Sequence, residues 1–509
     1  MSLANAAGLW RPDLATTALD PNITPQPLTF GGAWDAEPYE VQSRGILWLY
    51  AVPRSTLGDV TGLGKTMHMI GLIVCLHYLG ELTGKKAVVV AEPGAVEQLA
   101  GEFARFAPKL KVVTAGGSTM TRQKRRVLYG KPWDVLIVGY ATMRRDAVLL
   151  TEQRPHLVMF DESTNFANDE TQTAKAARTL ATVAARVHNV TATPVMLGLK
   201  DFYSQLRVLG LAGFTGSLFG NEWEFTQRYL IQSWQTPKRG AGQKTQFAAN
   251  PQTLPEFRQR ISPYYLRRNT GSADMPEVMP PEDIWLDMTT AQAARYKAIA
   301  NGAEAVDNRF MRQMQAATTL ANLGDEDHSA KFDWFMHALE HRFVSDDGQP
   351  EKVVVYLANV AAVEALRRRL AAAGWDAALI TGEHRDVREQ ERQRFWTDPK
   401  CRVAIGTKAI EKSLNLHVAR WAVMLDLLFN PSRMEQFLGR VKRSGSEFSH
   451  VHLIRVMCRR TSEEGILRVV RDRQELADFI HQDVSDIFRD LATIDPAAAQ
   501  QVLDYGRAA

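Results

Sequence analysis

The sequence predicts an α/β protein of two tandem lobes, each a parallel sheet with helices on both faces, followed by a helical C-terminal extension. Three observations lead there. Short apolar, β-branched runs alternate with helix-period segments, the pattern of parallel strands joined by helical crossovers. This alternation occurs in two separate stretches of the 509 residues. Between them lies a region dense in Gly, Pro and polar side chains, which interrupts both periods.

Residues 1–34 are rich in Pro, Ala, Thr and Asn without a period and are expected to form a tail or docked arm. The first lobe is assigned to 35–270. Its strands are AVVVAE, KVVTA, DVLIVGY, HLVMFDE and VHNVTATP, and GAVEQLAGEFARFA between two of them reads as an amphipathic helix. TPKRGAGQKTQ is expected to be a loop, and 271–330, opening with TGSADMPEVMPPED, a linker and helical connection. The second lobe, 331–460, carries KVVVYLA, AALITG, RVAIGT, WAVMLDL and HVHLIRV, with NVAAVEALRRRLAAAG as one of its helices. The extension, 461–509, opens with TSEE, where Thr461 is placed to cap and Glu464 to close a capping box.

Composition narrows the class. With 45% hydrophobic and 23% charged residues the chain lies in the ordinary globular range, and no apolar run reaches the length of a membrane-crossing helix. The opening residues lack a basic segment followed by an apolar one, and Cys75, Cys401 and Cys458 are too scattered for a disulfide framework or zinc site. The expectation is a soluble chain in a reducing, cytoplasmic compartment. A net charge of +4 is too small to establish a nucleic-acid partner. Arginine-rich clusters at 122–126, 267–268, 367–369 and 459–460 are expected first as solvated helix faces and only then as phosphate contacts.

Three segments carry chemistry. GDVTGLGKT, residues 58–66, is a glycine-rich turn leading into an apolar helical run. Such a turn aims backbone N–H groups and a helix dipole at one point, an anion cradle made here by Thr61, Gly62 and Gly64. Lys65 would add charge at the β- and γ-phosphates of a nucleotide, and Thr66 a hydroxyl for Mg2+. The strict pattern asks for Gly where Asp59 stands. Next, HLVMFDEST delivers Asp161 and Glu162 to the C-terminal end of a strand, where ligands gather in parallel sheets. Asp161 would hold the metal through water, and Glu162 would orient or deprotonate the attacking water. In the second lobe, MEQFLGRVKRSG places Gln436 near Arg440 and Arg443, which share a helix face and can stabilise charge on a transferring phosphoryl group.

Taken in order, these segments resemble superfamily-two helicase-like motors, and among them the Swi/Snf type of DNA translocase. QSRGILWL resembles the family segment whose glutamine, here Gln42, helps contact adenine. LGDVTGLGKT, DVLIVGYATM, DESTNFAND, NVTATPVML and ISPYYLRRN follow in family order, then KFDWFMHAL, LITGEH, VAIGTKAIEKSLNLHVA and FNPSRMEQFLGRVKRSG. The resemblance implies RecA-like lobes, ATP and Mg2+ as cofactors, and a groove for duplex DNA. Pro93, Thr191, Thr193, Thr381, Gly382, Thr407 and Lys408 would line that groove and grip phosphates without reading bases. The chain departs from the family at Thr164, where DEAH has histidine, at Ala100 in place of tryptophan and at Ser446 in place of glutamine. Without an appended chromatin, nuclease or zinc module, the resemblance points to a bacterial or viral single-chain motor.

Three functions fit these residues: a translocase on duplex DNA, a strand-separating or branch-migrating helicase, and a degenerate ATPase serving as a nucleic-acid scaffold. Against the last, no catalytic position is vacant. RNA remains open as the track, because backbone grips do not exclude it.

Overall fold

The computed structural model describes residues 11–19, 38–116, 120–192, 198–235, 244–268, 276–300, 329–345, 347–381, 387–411, 415–428, 431–443, 446–468 and 470–471. They divide between two compact units, one up to Ser272 and another spanning Ala273–Gln474.

The first unit is built on β1 (Arg54–Leu57), β2 (Ala87–Ala91), β3 (Val112–Ala115), β4 (Val135–Gly139), β5 (Leu157–Asp161), β6 (Arg186–Val190) and β9 (Tyr265–Leu266). These form one parallel sheet in the order β3-β4-β2-β5-β6-β1-β9. Both faces are covered, as the continuous apolar runs require. Along β2, Val88 and Val90 enter one core while Ala87, Val89 and Ala91 enter another across the sheet. On β5, Val158 and Phe160 oppose Leu157 and Met159 in the same way.

β1 was not expected, because its sequence RSTL is polar although every residue in it is buried. Its neighbour β6 reads RVHNV, and contacts between the strands and to nearby loops satisfy part of their buried polarity, while Arg54 Nε, Thr56 Oγ1 and His188 Nε2 have no hydrogen-bond partner among the described residues. Ser55 Oγ lies 2.9 Å from His188 Nδ1. Arg54 donates to the carbonyls of Ala184 and Ala181 at 2.7 and 3.2 Å. A second departure is an antiparallel hairpin, β7 (Leu230–Gln235) with β8 (Lys244–Ala249), whose second strand begins inside the expected loop.

The second unit contains β10 (Glu277–Val278), β11 (Glu282–Leu286), β12 (Val353–Tyr356), β13 (Asp376–Ile380), β14 (Cys401–Gly406), β15 (Trp421–Met424) and β16 (His450–Cys458). The order is β10-β16-β15-β12-β14-β13, again parallel, and β11 also pairs with β16. Val353 and Val355 face one core, Val354 and Tyr356 the other. The expected α/β architecture is thus present in both lobes. Within 271–330, read above as linker, β10 and β11 extend the sheet edge along β16. After β16, residues 462–468 are helical. Thr461 Oγ1 accepts from Glu463 N at 3.2 Å, while Glu464 Oε1 accepts from Arg460 N at 2.7 Å, so the capping contacts are split over neighbouring residues. The extension beyond residue 471 lies outside the described residues.

Candidate active site

Because the first sheet is parallel, the C-terminal ends of β1, β2, β4, β5 and β6 share one edge, and the segments singled out in that lobe emerge there. β1 runs into the glycine turn. Gly62 and Gly64 take φ of 98° and 76°, left-handed values that a Cβ makes costly. The turn hands over to the helix Lys65–Tyr78, whose Met69, Ile70, Leu72 and Ile73 are fully buried and so anchor its N-terminus. Lys65 Nζ donates to the carbonyls of Asp59 and Val60 at 2.7 and 3.1 Å, so it folds over the mouth of its own turn. Thr61 and Thr66 are partly exposed beside it. Gln42 packs against the turn, with Nε2 3.5 Å from Leu63 O and Oε1 accepting from Tyr39 N at 3.1 Å.

Asp59, the departure from the strict loop pattern, is fully buried. Its Oδ1 accepts from Arg268 N at 3.0 Å and Arg268 Nε at 3.1 Å. Arg268 also lies 2.9 Å from His68 Nε2 and donates to Val41 O. Burial would raise the Asp59 carboxyl, but Arg268, with His68 and Lys65, holds it below the ordinary carboxylate range. A single guanidinium therefore ties together the glycine turn, the helix after it and the helix bearing Gln42.

β5 ends at Asp161, followed by Glu162. Burial and then the neighbouring Glu162 charge push the Asp161 carboxyl up to about 7, against the pull of Lys65. Glu162 has a left-handed backbone, φ 57° and ψ 58°. Tyr140, at the end of β4, donates its hydroxyl to the carbonyls of Asp161 and Glu162 at 2.8 and 3.2 Å. On the Glu162 side chain, Oε1 accepts from Thr164 Oγ1 at 2.7 Å and Thr191 Oγ1 at 2.9 Å. Sequence reasoning singled out neither Tyr140 nor Arg268 as a site residue. The signals were a tyrosine closing a strand and an arginine pair directly after another.

In the second unit, the helix Pro431–Val441 buries Phe437 and Val441 and leaves Gln436 and Arg440 partly exposed. Arg443, just beyond it, donates Nε to Gly439 O at 3.2 Å. Arg440 O accepts from Leu416 N at 2.9 Å, fixing the helix to the segment before β15.

With this geometry in view, comparison with known families is decisive: the SNF2-related domain matches residues 41–342, and the helicase conserved C-terminal domain matches 330–445. The chain belongs to the SNF2-related family. An uncharacterized ATP-dependent helicase of Mycoplasma pneumoniae is 22% identical over 457 residues, covering 86% of this chain and 41% of that protein. The chromodomain-helicase-DNA-binding protein 1-like of Mus musculus is 25% identical over 475 residues, 86% of this chain and 49% of its own. A putative ATP-dependent helicase/translocase of Bacillus subtilis is 23% identical, with 87% and 48% covered. This SNF2-related chain thus spans less than half the length of these curated relatives. Among solved structures, a Sulfolobus solfataricus SWI2/SNF2 ATPase core in complex with dsDNA is 21% identical at TM-score 0.42, covering 94% of this chain and 98% of that one.

The residues expected along a polymer track sit unevenly in this SNF2-related protein. Pro93 and Lys408 are exposed. Thr191 and Thr381 are fully buried and Thr407 is 8% exposed, which corrects the expectation that their side chains face outward. Each directly follows a parallel strand and still lies within the sheet layer; Thr191 N continues the ladder to Leu57 O at 3.0 Å. Thr193 and Gly382 lie outside the described residues. Of the basic clusters, those at 122–126, 367–369 and 459–460 are mostly exposed, as expected for solvated faces, with Arg125 the buried exception. Arg125 and Tyr129 both bind the buried Asp146. Arg267 and Arg268 are largely buried rather than solvated, Arg367 pairs with Glu364, and Arg460 pairs with Asp287. Among the described residues no helix is long and apolar enough to cross a membrane.

Proposed function

We propose that the chain is an ATP-hydrolysing motor that moves along duplex DNA without reading its sequence. The observation that carries this reading is the convergence at one sheet edge of the glycine turn with Lys65 and the Asp161–Glu162 pair. Lys65 is near enough for its charge to act on Asp161. On nucleotide binding, Lys65 would exchange the carbonyls of Asp59 and Val60 for phosphate oxygens, while Thr61, Gly62 and Gly64 hold the backbone cradle open. Gln42, already packed on the turn, would set the adenine side, and Glu162 would orient water for attack on the γ-phosphorus.

A divalent cation fits the chemistry of Asp161, a partly buried carboxylate beside the Glu162 charge. Thr66 and Asp161 would hold Mg2+, which would neutralise charge on the phosphates. Gln436, Arg440 and Arg443 are assigned to turnover as the second lobe's contribution. Exposed Lys408 and the backbone around Pro93 are the leading phosphate contacts, since the N–H groups of Thr191 and Thr407 are already donated to Leu57 O and Ile380 O.

The test is steady-state ATP hydrolysis by the wild-type chain and Lys65→Ala, with no polymer, duplex DNA, single-stranded DNA or RNA. Stimulation by duplex DNA that the variant abolishes is the expected result. Hydrolysis driven instead by single strands or RNA overturns the track, and no hydrolysis with any polymer overturns the motor.

A further inference from the structure

We infer that Thr164 is a positioning residue that, with Thr191, aims the Glu162 carboxylate by holding one of its oxygens and leaving the other for water. The inference rests on the ATP-hydrolysing reading above and concerns the same site.

Two hydroxyls from different elements converge on Glu162 Oε1. Thr164 reaches back from the short helical turn Ser163–Phe166, and Thr191 comes from the segment after β6. One donor would leave the carboxylate free to rotate about its Cγ–Cδ bond. Two donors from separate directions fix both its position and its plane. Glu162 Oε2 has no partner among the described residues, and the side chain is only partly buried, so this oxygen remains available to solvent.

The backbone is fixed as well. A left-handed non-glycine residue costs on the order of 1–3 kcal/mol and persists only where its surroundings hold it. Around Glu162 they do. Its carbonyl accepts from Asn165 Nδ2 at 2.9 Å, Asn165 N at 3.1 Å and Tyr140 OH at 3.2 Å. Ser163 Oγ donates to Gln205 Oε1 at 2.8 Å, anchoring the next residue to a different helix. With main chain and Oε1 both held, the remaining freedom of Glu162 lies at Oε2, the atom a general base would present. Each residue of the DEST segment then has a task, and that of Thr164 is to direct its neighbour two positions earlier.

A misdirected base slows the chemical step without weakening nucleotide binding, since Glu162 acts on water rather than on ATP. Thr164→Val keeps the shape and removes the donor, and Thr164→Ser keeps the donor. Steady-state ATP hydrolysis at saturating duplex DNA, using the full chain, separates the possibilities. Expected for Thr164→Val is a fall in kcat of about tenfold, typical of losing a hydrogen bond to a charged group, with KM for ATP within about twofold and an unchanged thermal midpoint. Thr164→Ser should recover most of the lost kcat. Wild-type kcat in Thr164→Val, a defect confined to KM, or a Ser variant no better than Val each overturns the inference while leaving the ATPase reading intact. An inactive wild-type chain overturns both.

Discussion

Arg268 grips Asp59 through three donors, its backbone N–H and Nε on Oδ1 at 3.0 and 3.1 Å and Nη2 on Oδ2, although the two residues lie 209 positions apart. The glycine turn of this protein is thereby fastened to the strand end at which the described part of the first lobe stops. It explains why an aspartate occupies a position where the strict loop pattern has glycine. The position has become a buried anchor.

Asp59→Gly restores the strict loop pattern on paper. It is nevertheless expected to destabilise the first lobe by about 3–5 kcal/mol, because it strands the largely buried Arg268 without its counter-charge. Chemical denaturation checks this, and adding Arg268→Met to Asp59→Gly should return part of the loss.

Gly64→Ala should weaken ATP binding at least tenfold with a smaller effect on stability. The residue has φ 76°, and an added Cβ would collide with Gln42 Nε2. The substitution thus disturbs the cradle and the proposed adenine side together. Binding of a fluorescent ATP analogue, compared with the melting temperature, reads the two effects separately.

Stability of the first lobe should fall with acidification below about pH 6.5. Burial, then Lys85 and Arg186, push His156 down to about 4, and burial with Arg186 and Arg54 carries His188 well below the ordinary histidine value of 6.5. Neither Nε2 has a hydrogen-bond partner among the described residues. Between pH 6.5 and 4 the unfolded chain binds protons that the folded one refuses, so the stabilising contribution is complete above 6.5 and drains away below it. Denaturation midpoints measured from pH 7 to 4 should fall less steeply in His156→Gln.

Lys331→Met should be strongly destabilising in the second lobe. Lys331 and Glu463 are both fully buried, with Nζ 2.6 Å from Oε1 and also 2.7 Å from Leu425 O. Removing one charge leaves the other without compensation, at about 3–5 kcal/mol. The double variant Lys331→Met with Glu463→Leu should be more stable than either single one, a difference a double-mutant cycle measures directly.

Much of the site was legible because its signals are local. Glycines at 62 and 64 before Lys65 and Thr66, and an apolar strand ending in Asp161 and Glu162, announce chemistry within nine residues or fewer. β1 was not legible. RSTL has no run of apolar, β-branched residues and becomes a buried strand beside His188, Ala181 and Ala184, which supply hydrogen bonds to it. The burial of Thr191 and Thr381 was equally hidden, since a residue following a strand can face the sheet layer or the solvent and nothing in its neighbours decides which.

The sequence by itself determined the two α/β lobes, the glycine turn, the carboxylate pair and the family, because each depends on periodicity or spacing along the chain. Only the tertiary structure decided what Asp59, Arg268, Tyr140 and Thr164 touch. Their roles depend on partners brought close by folding, and for a charge taken out of water the partner sets the energy.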